Sequence, residues 1–369
     1  MGDDARRKLS PRTRNHRAIR DSQAENAERR VPLPVPVEDN GKWLIEGGIA
    51  SRLQQKSAIG KTLPNGVLSL SPAEVMFCHW HRHLPLPSDD WIEQQMELDE
   101  NFMHIAAAHE AGRDGGEKIV PLESLRDDNA VSVAEGTWAL RWNRNQHPSR
   151  DTAQAQVRCH ISSENIDWQE MLEWTMSVNQ NGHEAEVFVV DGEFDVTFYR
   201  LSITDLRGNM DYPKFSSELS TELKDAMQKS TRTKDGYFVP IAKENWRIPT
   251  IGVAQMNGMW LNLDEGSWLE NELGLTQEHP NALFSDLIAR GLLCRPGFKY
   301  GCRWRIYAED IDQAHAPWLL SPLNEAAANW DGACLSVRLA AGVHKKWLCA
   351  IGGEKWNYLS LERIVIGRD

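Results

Sequence analysis

Three side chains with complementary proton chemistry stand in order near the C-terminal end of the chain: Tyr307, His315 eight residues later, and Lys345. A phenol, an imidazole and an ammonium can between them accept a proton, donate one and hold a developing negative charge. That is the equipment of general acid–base catalysis with electrostatic stabilisation. Each has a plainer reading alone: a ring in a strand core, a surface-loop histidine, a solvated helix end. Lys345 is followed directly by Lys346, and strand alternation lets only one of the two face a given site. A second group, Cys78-His-Trp-His-Arg-His83, offers His79 and His83 at i and i+4, a spacing that can share a metal. No other ligand cluster accompanies it in the sequence, so no metal and no cofactor are expected.

Residues from a strand end, a following loop and the start of another strand meet only if a mixed sheet brings them to one edge, so the elements matter next. The chain repeats itself. Ile59-Gly60, Asn65-Gly66 and Leu68-Ser-Leu70 return 192 or 193 residues later as Ile251-Gly252, Asn257-Gly258 and Leu261-Asn-Leu263. Both copies read as turn, short strand, helix. In the first, Ser71 with Glu74 three positions on is a capping box, and Pro72 sits at the first helical position. Further on, the segment 187–201 matches 347–361, each an apolar strand, a Gly-containing turn and an alternating strand, hence a hairpin. Helical stretches precede both, around Trp168–Val178 and Ala333–Gly342. The expected fold class is α+β: a tandem duplication of a two-lobed unit, each with a small N-terminal α/β lobe and a C-terminal mixed-sheet lobe. Residues 1–38 form a flexible basic arm, with folded structure starting near Trp43. Residues 39–204 are the first copy, 205–279 the N-terminal lobe of the second, and 280–369 its mixed-sheet domain. Residues 89–135 have no good counterpart in the second copy.

The chain has 369 residues, 41% of them hydrophobic, with no apolar run near the ~20 residues of a bilayer span. The six cysteines are scattered through apolar segments, and the first forty residues lack the apolar core of a secretory signal, so reduced thiols and a cytoplasmic location are expected. A net charge of −12 argues against nucleic acid until its distribution is considered. Residues 1–30 carry +4 and residues 290–369 carry +3, leaving −19 between them. The segment with Tyr307, His315 and Lys345 is thus a basic region of an acidic chain.

That segment, Arg290-Gly-Leu-Leu-Cys-Arg-Pro-Gly-Phe-Lys-Tyr-Gly-Cys-Arg-Trp-Arg-Ile-Tyr307, then His315, then Val337-Arg-Leu-Ala-Ala-Gly-Val-His-Lys-Lys-Trp347, resembles the catalytic domain of tRNA-splicing endonucleases. The family pattern is a G-x-K-F/Y-G turn, a strand ending in Tyr, a His some residues on, and an R-x-A-x-x-V-x-K stretch opening a strand. The resemblance implies cleavage of precursor tRNA at a bulge–helix–bulge, without metal, to a 2′,3′-cyclic phosphate and a 5′-hydroxyl. It implies Tyr307 as general base, His315 as general acid and Lys345 as the stabilising cation, alignment on Arg338 and Val343 favouring Lys345 over Lys346. A phenol is a poor base at neutral pH, its ordinary pKa being near 10, so the role calls for a cation beside it. Arg338 and Arg363 match arginines that hold an extruded bulge base in the family; guanidinium planes stack on unpaired bases.

The first copy offers Trp142 where the second has Tyr307, His147 only five residues later, and His183-Glu-Ala-Glu in place of Val343-His-Lys-Lys. It keeps the frame and lacks the chemistry, which resembles archaeal enzymes in which a pseudo-catalytic repeat precedes a catalytic one and which act as homodimers. By the same resemblance the turn with Asp191, Glu193 and Asp195 is an acidic loop that docks on the partner. A non-catalytic RNA-binding scaffold and a metal-dependent nuclease using the Cys78–His83 group are the rival readings, and cleavage in a chelator separates them.

Overall fold

In the computed structural model, residues 32–125, 131–353 and 355–367 are described. Residues 1–31 of the expected arm, and Glu354 in the last hairpin turn, lie outside them. The arm's expected boundary shifts: Val37–Asp39 is already a strand, paired with residues 42–44, six residues before Trp43.

The first part of the chain runs β1 (Val37–Asp39), β2 (Lys42–Ile45), α1 (Gly48–Ser57), β3 (Lys61–Thr62), β4 (Leu68–Leu70), α2 (Pro72–Arg82), α3 (Trp91–Leu98), α4 (Phe102–Arg113), β5 (Lys118–Pro121), β6 (Ala139–Trp142), β7 (Ala155–Ile161), α5 (Trp168–Gln180), β8 (Glu184–Val190) and β9 (Val196–Ile203). It continues with α6 (Ser217–Gln228), β10 (Thr231–Arg232), β11 (Gly236–Val239), β12 (Val253–Gln255), β13 (Gly258–Asn262), α7 (Leu263–Glu272), α8 (Ala282–Ala289), β14 (Leu293–Pro296), β15 (Trp304–Tyr307), β16 (Trp318–Pro322), α9 (Trp330–Gly342), β17 (Lys346–Ile351) and β18 (Asn357–Ile364).

Two small sheets have the orders β1-β2-β4-β3 and β10-β11-β13-β12. Each is followed by a helix whose start is fixed in the same way. Ser71 accepts from Glu74 N while Glu74 accepts from Ser71 N; Asn262 and Glu265 do the same at α7. Such reciprocal caps satisfy donors that a helix start leaves orphaned. The Glu74 carboxylate, fully buried, also accepts from Gly60 N at 2.7 Å and from the Ser124 hydroxyl at 2.7 Å. Gly60 has φ +72°, and a Cβ there would meet Leu68, Leu70 and the Ser69 carbonyl at 2.8 Å, so glycine is required.

The third sheet has ten strands in the order β14-β15-β16-β17-β18-β9-β8-β7-β6-β5. On each side of its centre the pairing runs antiparallel, antiparallel, parallel, antiparallel outwards to inwards, and the two halves meet through antiparallel β9 and β18, with Leu361 opposite Leu201. The parallel pair in each half is joined through a helix, α5 or α9, as a parallel connection requires. Both helices bury their apolar faces in one core with β8, β9, β17 and β18, where Trp168 and Trp347 lie 5.2 Å apart. The poor match of residues 89–135 has a simple basis: two helices, α3 and α4, separate α2 from β5, whereas α8 alone separates α7 from β14.

Candidate active site

Tyr307 is the last residue of β15, opposite Leu293 of β14, and is buried at 5% exposure in a small apolar cluster with Leu293, Ala316 and the flanking Met210. Arg305 stands two residues earlier, on the same face by strand alternation. Its guanidinium carbon is 5.9 Å from the Tyr307 ring centre. The chain then leaves the sheet in a loop that turns on Asp310, whose carboxylate accepts from Asp312 N and whose carbonyl accepts from Gln313 N and Ala314 N. His315 follows on this loop with its ring exposed and no hydrogen-bond partner among the described residues.

Lys345 comes from the other side. Helix α9 starts at Asn329, whose side chain caps Gly332 N, and ends at Val343, after which His344 takes a left-handed φ of 55°. This turn throws Lys345 towards the His315 loop, where its ammonium donates to the Ala316 carbonyl at 2.6 Å. Lys346 N donates to the Pro317 carbonyl at 3.0 Å, so the strand start holds the same loop by two bonds. The Lys346 ammonium points elsewhere and pairs with Glu362 of β18 at 2.6 Å. Burial, and then the field of Arg305, hold the Lys345 pKa below its ordinary value. A strand end, a loop and a strand start thus meet at one edge of the sheet. Sequence reasoning missed Arg305, although its i−2 relation to Tyr307 was a usable signal.

Arg363 of β18 lies opposite Tyr199 of β9, and Arg338 lies one turn beyond Cys334 on α9. Burial, and then the neighbouring Cys334, push the Tyr199 pKa well up, against the opposing fields of Arg363 and Arg338. Both arginines are exposed, and their charges converge on this one buried phenol at the joint between the sheet halves.

The acidic turn is a closed loop. Asp191 N donates to the Asp195 carbonyl at 3.0 Å, and the Asp191 carboxylate accepts from Glu193 N and Asp195 N, each at 2.9 Å. Phe194, at φ 61°, turns its ring back against His104 of α4, 5.0 Å between centres. Asp191, Glu193 and Asp195 stay at the exposed tip.

In the first half of the chain the corresponding side chains are tied down. Trp142, at the end of β6, is fully buried and donates to the Asp151 carbonyl at 2.9 Å. His147 is bonded at both ring nitrogens, to the Ser149 hydroxyl and the Gln54 carbonyl. His183 meets the Gln156 amide at 3.0 Å. In the Cys78–His83 group, burial pushes the Cys78 thiol up to about 12, and His79 Nδ1 lies 2.9 Å from the Leu84 carbonyl. No group of three or more His, Cys, Asp or Glu side chains is placed to hold a metal ion among the described residues. No helix of these residues is long and apolar enough to cross a membrane.

Residues 280–358 match the family described as tRNA intron endonuclease, catalytic C-terminal domain. The chain is also similar to the tRNA-splicing endonucleases of Picrophilus torridus, 26% identical over 187 residues, and Thermoplasma volcanium, 29% identical over 177 residues. Those alignments cover 49% and 48% of this chain and 57% and 54% of the relatives, so the match spans little more than half the length of each. That of Methanococcoides burtonii is 21% identical over 260 residues, covering 63% of this chain and 74% of its own.

Proposed function

We propose, from its similarity to tRNA-splicing endonucleases and the match of residues 280–358 to their catalytic domain, that this chain is a tRNA-intron endonuclease cutting precursor tRNA at bulge–helix–bulge sites. The observation that carries the reading is the placement of the Lys345 ammonium on the Ala316 carbonyl, one residue from His315 and in the loop whose Ala316 shares a cluster with Tyr307. The 2′-oxygen attacks the adjacent phosphorus and the P–O5′ bond breaks. Tyr307 takes the 2′-hydroxyl proton, His315 gives a proton to the leaving 5′-oxygen, and Lys345, with Arg305 behind it, stabilises the charge on the phosphorane. The products are a 2′,3′-cyclic phosphate and a 5′-hydroxyl, and no metal takes part. A free, exposed imidazole suits the acid role, since it reaches the substrate without breaking an internal bond.

The frame is read as a tandem duplication: residues 39–204 a pseudo-catalytic repeat, 205–279 the N-terminal lobe of the second repeat, and 280–369 the catalytic domain. Supporting this, every strand pairing in the first half recurs nine strands later, and the Glu74–Gly60 contact has its counterpart in Glu265 and Gly252. Arg338 and Arg363 receive a splayed bulge base at the joint, where two guanidinium planes suit stacking. The chain acts as a homodimer in the cytoplasm, the loop of Asp191, Glu193 and Asp195 docking on the partner.

The test is cleavage of a bulge–helix–bulge RNA in EDTA by wild type, His315→Ala and Lys345→Ala, with analysis of the product ends. Cyclic phosphate ends from wild type and loss of cutting in both variants are expected. A folded wild type that binds this RNA and leaves it intact would turn the reading to a non-catalytic scaffold. Cutting that needs a metal would turn it to the metal-dependent alternative.

A further inference from the structure

The pseudo-catalytic half has lost its acid–base set, yet the place is not filled in. A cavity of about 380 Å³ remains between the end of α1, β5 and the loop from β6 to β7, lined by Lys56, Lys118, Arg144, His147, Ser149 and Arg150. The sheet register locates it. Trp142 faces Lys118 across β5 and β6, as Tyr307 faces Leu293 across β14 and β15, so a cation stands where the catalytic half has an apolar side chain.

The charges here are largely uncommitted. Lys118 is 7% exposed, and its ammonium donates to the Arg144 carbonyl at 2.6 Å, with burial and then the field of Arg113 holding its pKa below the ordinary lysine value. Lys56 and the Arg144 guanidinium have no carboxylate partner among the described residues. The nearby acids are already engaged. Glu117 accepts from Arg141 at 3.0 Å and from Arg144 N at 3.2 Å, while Asp151 accepts from His147 N at 2.6 Å and from Arg150 at 3.1 Å. The Gln54 carbonyl at the end of α1, which would repel an anion, is taken by Ala58 N and His147. What remains is a recess with two cations, Lys56 and Arg144, that have no carboxylate partner among the described residues, the buried Lys118 beside them, and hydroxyl and amide donors around, in a part of the chain that is otherwise acidic.

We propose that this recess is a second RNA-binding site, in which Lys56, Lys118 and Arg144 hold a backbone phosphate of the substrate away from the cleaved junction. It rests on the reading of the substrate as RNA, but not on cleavage. Phosphate contacts position a nucleic acid without reading its sequence, so the pseudo-catalytic half would set the orientation of an RNA that the other half cuts.

The test uses the full chain and a labelled precursor-tRNA hairpin with a 2′-deoxynucleotide at each cleavage position, which removes the attacking oxygen. Binding is followed by fluorescence anisotropy over a salt series for wild type, for Lys56→Gln with Arg144→Gln, and for the charge-matched control Lys214→Gln with Lys224→Gln. Both altered pairs are exposed, so folding is not at stake. The pocket pair should weaken binding roughly tenfold and lower the slope of log K against log salt by about 0.7 to 0.9 for each phosphate no longer neutralised, while the control keeps the wild-type slope. An unchanged slope in the pocket pair overturns the proposal. So does a wild type that binds no RNA, and so does a pocket that gains thermal stability from inorganic phosphate but leaves the RNA slope untouched, since the recess then serves a free anion. If the slope changes as expected but a cleavable hairpin stays intact, the pocket stands and the endonuclease reading falls.

Discussion

Replacing one lysine of the Lys345–Lys346 pair and then the other tests the site most directly, because the structure gives the two opposite surroundings. The Lys345 ammonium is anchored 2.6 Å from the Ala316 carbonyl; the Lys346 ammonium is spent on Glu362 at the surface. A unit charge developing on a phosphorane about 4 Å from Lys345 is worth about 4 kcal/mol at an effective dielectric constant near 20, and about 2 kcal/mol at 40. Lys345 is partly open to solvent, so the value belongs between these limits. Lys345→Ala should therefore slow cleavage by roughly 30-fold to 1,000-fold, at 1.36 kcal/mol per factor of ten.

The cost to the fold is smaller and separable. The lost hydrogen bond from a charged donor contributes about 1.5 to 3 kcal/mol when well formed. Lys346→Ala removes an exposed ion pair contributing about 0 to 1 kcal/mol and should leave the rate within about twofold. The assay is single-turnover cleavage at saturating enzyme, which isolates the chemical step from binding, with melting temperatures in parallel. A rate loss confined to Lys346→Ala, or a loss under about fivefold in a folded Lys345→Ala, refutes the electrostatic argument and with it the placement of the cation.

Three further outcomes follow from the same geometry. Because burial and Arg305 hold Lys345 below the ordinary lysine pKa, its charge is lost as pH rises through a window beneath 10.5, so cleavage should fall there while this residue's contribution to stability rises; Lys345→Arg, which stays protonated, should move that decline upwards in a pH–rate profile. In the buried pair of Glu265 and Arg295, 2.8 Å apart, Glu265→Gln strands a buried guanidinium and should cost about 3 to 5 kcal/mol in urea unfolding, partly recovered by adding Arg295→Met; a loss under about 1 kcal/mol contradicts it. Glu193→Lys with Asp195→Lys reverses charge at the loop tip but spares the Asp191 carboxylate that closes the turn, and sedimentation should show monomer in place of dimer; an intact dimer removes the docking role.

Local structure was legible wherever a local rule governed it. Ser71, Pro72 and Glu74 announced the start of α2, and the structure has that cap. The hairpins at 187–201 and 347–361 were readable from alternation and a glycine turn, and both are formed. Long-range choices were not legible. The pairing of Arg363 with Tyr199 depends on β9 and β18 finding each other across more than 150 residues to form the centre of the sheet, and no periodicity in either strand encodes its partner. Val37 falls within the arm expected over residues 1–38, yet β2 supplies a pairing edge that the local sequence does not advertise. The candidate site was legible as three residue types at a spacing, whereas Arg305 joins it only through the strand that places its guanidinium beside Tyr307.

On the proposed duplication, the two halves also indicate why chemistry can be absent from one without loss of the frame. The loci that matter are set by backbone: the end of β6 or β15, the loop after it, and the residue before β8 or β17. None of these depends on its side chain for strand pairing. In the first half the loci are satisfied internally, with Trp142 and His147 hydrogen-bonded to their own surroundings. In the second half His315 is exposed with no partner among the described residues, and Lys345, bonded to the Ala316 carbonyl, is partly desolvated beside another cation. Groups kept short of their own best interactions cost stability, and that cost is expected where a side chain is reserved for a ligand. The contrast at the loop locus, a His147 bonded at both ring nitrogens against a His315 with no partner among the described residues, is what the proposed placement of the chemistry in the second half calls for.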